Sequence, residues 1–153
     1  MLRALPIGKY LAAGTWILGA VVAVGLYAED GASKLEWATM RELNYRTGKI
    51  TPNLKKMDGT TVKVPGFMVP LEDDEDRVVE FLLVPYVGAC VHTPPPPPNQ
   101  IVHVTMSDGK KTKVSFWDPV WIIGKLEIKD FKSPFGDVSF QLKATKVEPY
   151  MEK

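Results

Sequence analysis

Val138-Ser139-Phe140-Gln141-Leu142-Lys143-Ala144-Thr145 alternates apolar and polar side chains without a break. Successive side chains on a strand point to opposite faces, so this period of two predicts a strand with one buried and one wet face. The chain from Lys55 onward reads the same way. Residues 60–71 carry Val62, Val64, Phe67, Met68, Val69 and Leu71 and are interrupted by Pro65-Gly66, which marks a bulge or a sharp bend. Residues 78–86 are an almost continuous apolar run, as expected of a strand covered on both faces. Residues 101–106 form another strand, which Ser107-Asp108-Gly109-Lys110 turns back into residues 111–116. Residues 120–128 carry Trp121, Ile122, Ile123 and Leu126, with Gly124 as a bend. Short strands bent by internal glycines predict a mainly β fold. The expected form is a small OB-like barrel of five to six strands, with a compact sandwich as the alternative. Closure removes exposed strand edges.

One helix is expected before the strands. Leu35, Trp37, Met40 and Leu43 recur at spacings of two to three, with Ser33 placed to cap the start and Gly48 to end a helix reaching Tyr45. Its expected role is to plug one end of the barrel.

The N-terminus differs in kind. Tyr10 to Ala28 is a run of 19 residues without a charge, preceded by Arg3 and Lys9. A basic start and an apolar centre are the layout of an export signal, and the length also reaches the lower edge of a membrane-spanning helix, about 20 residues. Cleavage could follow Ala23-Val24-Gly25, which has small residues at both required places, or Leu26-Tyr27-Ala28, which ends just before Glu29-Asp30 but has a bulky Leu. The expected organisation is a signal peptide or membrane anchor at 1–28, a tether at 29–33 and a β domain at 34–153. In both versions the domain emerges outside the cytoplasm, in the periplasm or anchored to the inner membrane, with the membrane as partner if the segment is uncleaved. Beyond residue 28 there are 17 basic against 18 acidic side chains, which gives no electrostatic field for nucleic acid. The acids 72–76 lack the glycine and spacing of a calcium loop and read as a solvated hairpin tip. Trp37, Trp117 and Trp121 could form a ligand platform, but core packing is the simpler assignment.

The chemistry concentrates at Gly88-Ala89-Cys90-Val91-His92-Thr93, which holds the single cysteine and one of two histidines. Pro94, Pro95, Pro96, Pro97 and Pro98 follow, then Asn99-Gln100. Consecutive prolines fix the backbone in an extended polyproline form, a stiff crossing between two strands. Asn99 and Gln100 are placed to close the loop by hydrogen bonds from side chain to backbone. Residues two apart on extended chain share a side, so Cys90 and His92 could converge on one centre. The other histidine, His103, lies just beyond the prolines and faces away from Val102, Val104 and Met106. If the strands flanking the loop fold together, Cys90, His92 and His103 form a three-ligand site suited to zinc with a fourth position open. Two other readings stand beside it. Cys90 could be a catalytic thiol with His92 or His103 as base and Asn99 available to orient it. Or Cys90 is an inert buried side chain in a structural interaction module.

Gly66-Phe67-Met68-Val69-Pro70-Leu71, then Phe81-Leu82-Leu83-Val84-Pro85, then the Gly88–Thr93 segment with its prolines and Asn99-Gln100, resemble an exported bacterial family of uncharacterised function. The hallmark is a Gly-Ala-Cys-x-His run followed by prolines and Asn-Gln. The resemblance covers residues 35–149. It implies a periplasmic or membrane-anchored accessory, often associated with ABC-type transport systems, some of them linked to zinc. Cys90, His92, Asn99 and Gln100 carry over as signature positions, with no established activity. No cysteine follows the apolar N-terminal run, so lipid attachment there is excluded. The expected function is a non-enzymatic envelope accessory that handles metal beside transporter components.

Overall fold

The structure is a computed structural model that describes residues 31–71, 76–89 and 94–151. The expected N-terminal signal or anchor lies outside the described residues, as do Cys90, His92 and most of the acidic loop. Among the described residues no helix is long and apolar enough to cross a membrane.

The fold is mainly β. In chain order the elements are β1 (Ser33–Lys34), α1 (Trp37–Met40), α2 (Pro52–Lys55), β2 (Thr61–Pro70), β3 (Arg77–Val78), β4 (Glu80–Val84), the 3-10 turn η1 (Pro98–Gln100), β5 (Val102–Met106), β6 (Thr112–Lys113), β7 (Val120–Ser133) and β8 (Gly136–Pro149). The main sheet runs β1-β2-β4-β5-β8-β7, and β7 also pairs with β2, so the pairings that leave β2 through β4 return to it, with β1 as a side branch. All the pairings around that circuit are antiparallel except β5 with β8, which is parallel.

The alternating sequence explains two apolar layers. One parity of each strand supplies Val62, Val64 and Met68, then Phe81 and Leu83, then Val102 and Val104, then Ile122 and Leu126, then Phe140, Leu142 and Ala144, all in one buried cluster. The other parity of β2 and β4 supplies Val69, Leu82 and Val84, which form a second cluster with Ala89, Ile101 and Val138. Each such side chain contributes about 1.5–3 kcal/mol of burial free energy, so the first layer dominates the fold.

Pro65-Gly66 is the bend that the sequence indicates. Through Gly66 strand β2 pairs with β7, and from Phe67 it pairs with β4. A Cβ at Gly66 would lie 2.7 Å from the Val84 carbonyl oxygen, so only glycine allows this corner.

Several expectations are corrected. The predicted helix from Ser33 to Tyr45 is only one turn, Trp37–Met40, and Ser33 does not cap it. Ser33 and Lys34 instead pair in parallel with Val62 and Lys63, so the sheet begins inside the expected tether. The spacing of two to three between apolar residues is too short for a sustained helical stripe, and tertiary pairing wins over it. Gly48 does not end the helix, which stops at Met40 with Arg41 as its cap; it turns the chain with φ +69° beside an Asn44–Lys49 bridge. The segment still fills the interior: Leu35, Met40, Leu43 and Leu54 all join the first cluster. Leu54 belongs to α2, which starts with Thr51 accepting a hydrogen bond from the Leu54 N–H at 3.3 Å and Pro52 in the first turn. The run 78–86 is broken between β3 and β4, and β3 pairs with β6 outside the main sheet. Strands β7 and β8 are longer than expected because the hairpin continues through Ser133 and Gly136. Trp117 is 80% exposed and not in the core.

Candidate functional site

The proline loop leaves β4 and returns into β5, and those strands are antiparallel neighbours with Leu82 opposite His103. The strands flanking the loop therefore do fold together, as the sequence argument required. Ala89, directly before Cys90, is fully buried against the same cluster as Ile101. Ile101 and His103 share one face of β5, opposite Val102, Val104 and Met106.

His103 is only 5% exposed. Three neighbours fix its ring. Leu82 faces it across the ladder. Phe131, from the far part of β7, stacks on it with centroids 3.7 Å apart and planes 11° apart. Glu80, two residues before Leu82 on the same face of β4, places a carboxylate oxygen on Nε2. With Nε2 engaged, Nδ1 is the ring nitrogen left for another partner, and it has none among the described residues. A carboxylate only accepts, so this contact holds a proton on Nε2 and leaves Nδ1 to offer its lone pair.

Sequence reasoning missed Glu80 and Phe131. Glu80 had a usable signal, since it is the single charged side chain in the apolar run 78–86. Phe131 had none, because its approach depends on the length and curl of the β7–β8 hairpin.

Asn99 and Gln100 do more than close their own loop. Asn99 Nδ2 donates to the Leu43 carbonyl at 2.8 Å. Gln100 Nε2 donates to the Trp37 carbonyl at 3.1 Å and to the Asn99 carbonyl at 2.7 Å. Gln100 Oε1 accepts from Arg41 at 3.2 Å. These bonds tie the end of the proline crossing to the α1 segment, which Trp37 Nε1 anchors to the Pro65 carbonyl at 2.7 Å. Pro97 has φ −64° and ψ 156°, the polyproline form expected for the crossing. Replacing Gln100 with alanine strands buried polar groups on both sides of this junction. The expected cost is about 2 kcal/mol, read from chemical denaturation, with faster proteolysis near residues 37–49.

Of the three proposed ligands only His103 is described, so the structure does not bring the set together or separate it. Among the described residues no group of three or more His, Cys, Asp or Glu side chains could hold a metal ion.

Comparison with known proteins gives a family and no activity. No curated protein matches the chain. A crystal structure of a DUF3299 family protein from Pseudomonas aeruginosa PAO1 is similar, with a TM-score of 0.64 at 29% identity, covering 80% of this chain and 98% of that one. The family described as protein of unknown function (DUF3299) matches residues 28–149. The chain belongs to the DUF3299 family.

Proposed function

We propose that this protein is an exported, envelope-located binding accessory, built on a small OB-like barrel, that holds a metal ion of the zinc type. The barrel reading rests on the circuit of pairings β2-β4-β5-β8-β7-β2, whose one parallel step joins the third and fifth of these strands in chain order. Export rests on the basic, then apolar, residues 1–28. An association with ABC-type transporter components rests on the resemblance of the Cys90–Gln100 signature.

The observation that carries the metal reading is the His103–Glu80 contact beneath the Phe131 ring. Metal-bound histidines almost always give their second ring nitrogen to a carboxylate or carbonyl, which orients the ligand. Here that arrangement sits at the root of the loop bearing Cys90 and His92. The three side chains supply one thiolate and two imidazoles, a donor set that suits zinc.

The test is metal content of the intact chain after zinc loading and desalting. About one equivalent is expected, lost in His103→Ala and Cys90→Ser, with affinity about 10–100-fold weaker in Glu80→Gln. Zinc below a tenth of an equivalent in the unaltered chain, measured as ~0.1 by the same assay, would overturn the metal reading.

A second reading is favoured by the same contact. Glu80 orients His103 as the third member of a nucleophile–base–carboxylate relay would, with Cys90 as nucleophile. It predicts a metal-free protein whose thiol alkylates quickly near neutral pH and slows in Glu80→Gln. A thiol that alkylates no faster than free cysteine would exclude it.

A further inference from the structure

The exposure of the five prolines fits a polyproline helix lying on one of its three edges. Such a helix repeats every three residues, so Pro94 and Pro97 share one edge, Pro95 and Pro98 a second, and Pro96 alone holds the third. Pro96 is buried, Pro98 is half-buried, and Pro94, Pro95 and Pro97 are exposed. The crossing therefore rests on its Pro96 edge and turns the other two outward. Asn99 and Gln100 tie its end to the Leu43 and Trp37 carbonyls, so the ridge is held in place before any partner arrives.

A second outward surface lies where β7 begins and β8 ends. Phe116 is 54% exposed, Trp117 80% and Met151 78%, and none of them belongs to either buried cluster. Large apolar side chains gathered in the open mark contact sites. The Ser115 hydroxyl donates to the Asp118 carbonyl at 2.9 Å, which closes the turn carrying Phe116 and Trp117. The Tyr150 N–H donates to the Pro119 carbonyl at 3.1 Å, which brings Met151 to the same corner. The Tyr150 ring lies against Trp121, with centroids 5.0 Å apart.

We propose that this protein associates with copies of itself, the Pro94–Pro97 ridge of one chain docking on the Trp117 corner of another. Proline helices are recognised by aromatic side chains, which pack on the pyrrolidine rings, and a stiff helix loses little entropy on docking. Both halves of that pairing are present in this chain. Both are exposed, so neither covers the other within it. That complementarity makes a second copy the occupant. The ridge and the corner are different surfaces, so the contact runs head to tail. Five prolines offer little area, which places it among weak, transient interfaces, below about 1,200 Å2. None of Cys90, His92 and His103 takes part, so the contact stands apart from the metal reading.

The test is binding of the intact chain, in non-ionic detergent, to an immobilised preparation of itself. The unaltered chains should associate, and a pentaproline peptide in large excess should compete. Trp117→Ser and the double variant Pro94→Ser/Pro97→Ser should each weaken self-association by about tenfold or more. Mixed with each other, the two variants should recover the affinity of the unaltered pair to within about threefold, because one brings the ridge and the other the corner. All three substituted side chains are exposed, and unchanged urea midpoints show that the fold is kept. The peptide competition decides without any variant. Unaltered chains that do not associate, association that neither variant weakens, or a mixture that recovers nothing would overturn the proposal. So would monomeric chains whose tryptophan emission shifts on phosphatidylcholine vesicles and no longer does so in Trp117→Ser, a result that would give the corner to a lipid surface.

Discussion

Replacing Gly124 with alanine is expected to cost the fold about 3 kcal/mol or more. The methyl carbon would lie 2.3 Å from the Lys143 carbonyl oxygen, 2.7 Å from the Ala144 Cα and 2.8 Å from the Lys143 carbonyl carbon. All three are backbone atoms of β8, so no rotamer change relieves the contact. Gly124 pairs with Val62 of β2 on one side and Ala144 of β8 on the other, next to a shift in register. Moving β7 away from β8 would therefore disturb the ladder to β2 as well, and the circuit would open at its tightest crossing. The measurement is urea denaturation, with the midpoint falling and the slope unchanged. Gly48→Ala is the comparison. Its Cβ would meet nothing within 4 Å, but its φ of +69° penalises any side chain, by about 1 kcal/mol. Equal losses at the two positions would show that close approach of β7 and β8 is not what Gly124 provides.

Glycine and proline positions made much of this fold legible. Pro65-Gly66 and Gly124 read as bends, and they sit where β2 changes partners and where β7 serves two strands. Alternation from Val138 to Thr145 marked a strand, and its apolar members all face buried clusters. The α1 segment was less legible, because Ser33 and Lys34 join a sheet through partners 29 residues away, Val62 and Lys63. No local pattern encodes a two-residue parallel pairing. At the candidate site, the sequence could name His103 and place it on the face away from Val102 and Val104. It could not show that this face is covered. The cover comes from Phe131, which is brought there by the continuation of β7 past a second register shift, between Ile128 and Phe131. Asn99 and Gln100 were read as closing their own loop, whereas their longest-range bonds reach Leu43 and Trp37. A side-chain amide can bond to any carbonyl within reach, so sequence spacing constrains its partner very little.

Phe140 and Gln141 test that reading of faces with two adjacent residues. Phe140 is fully buried in the first cluster, opposite Val102 on β5 and Ile128 on β7. Phe140→Ala removes a ring from a layer whose neighbours are held by ladders on both sides, so the space cannot collapse. The expected loss is about 3–5 kcal/mol. Gln141 occupies the next position, between His103 and Glu127 in the ladders, with its side chain on the other face. Its amide makes two hydrogen bonds of 3.4 Å to the carbonyls of Lys129 and Asp130, both exposed. Long, exposed bonds contribute little, so Gln141→Ala is expected to change stability by about 0.5 kcal/mol or less. Thermal or urea denaturation of the two variants gives the contrast directly. Similar losses would mean that both faces of β8 carry equal packing, and the dominance of the first layer would fail. A large loss at Phe140 alone fixes the interior on the side of Val102, Val104 and Leu142. That outcome leaves the second cluster, on the opposite face of β5 where Phe131 covers His103, as the lesser contributor to stability.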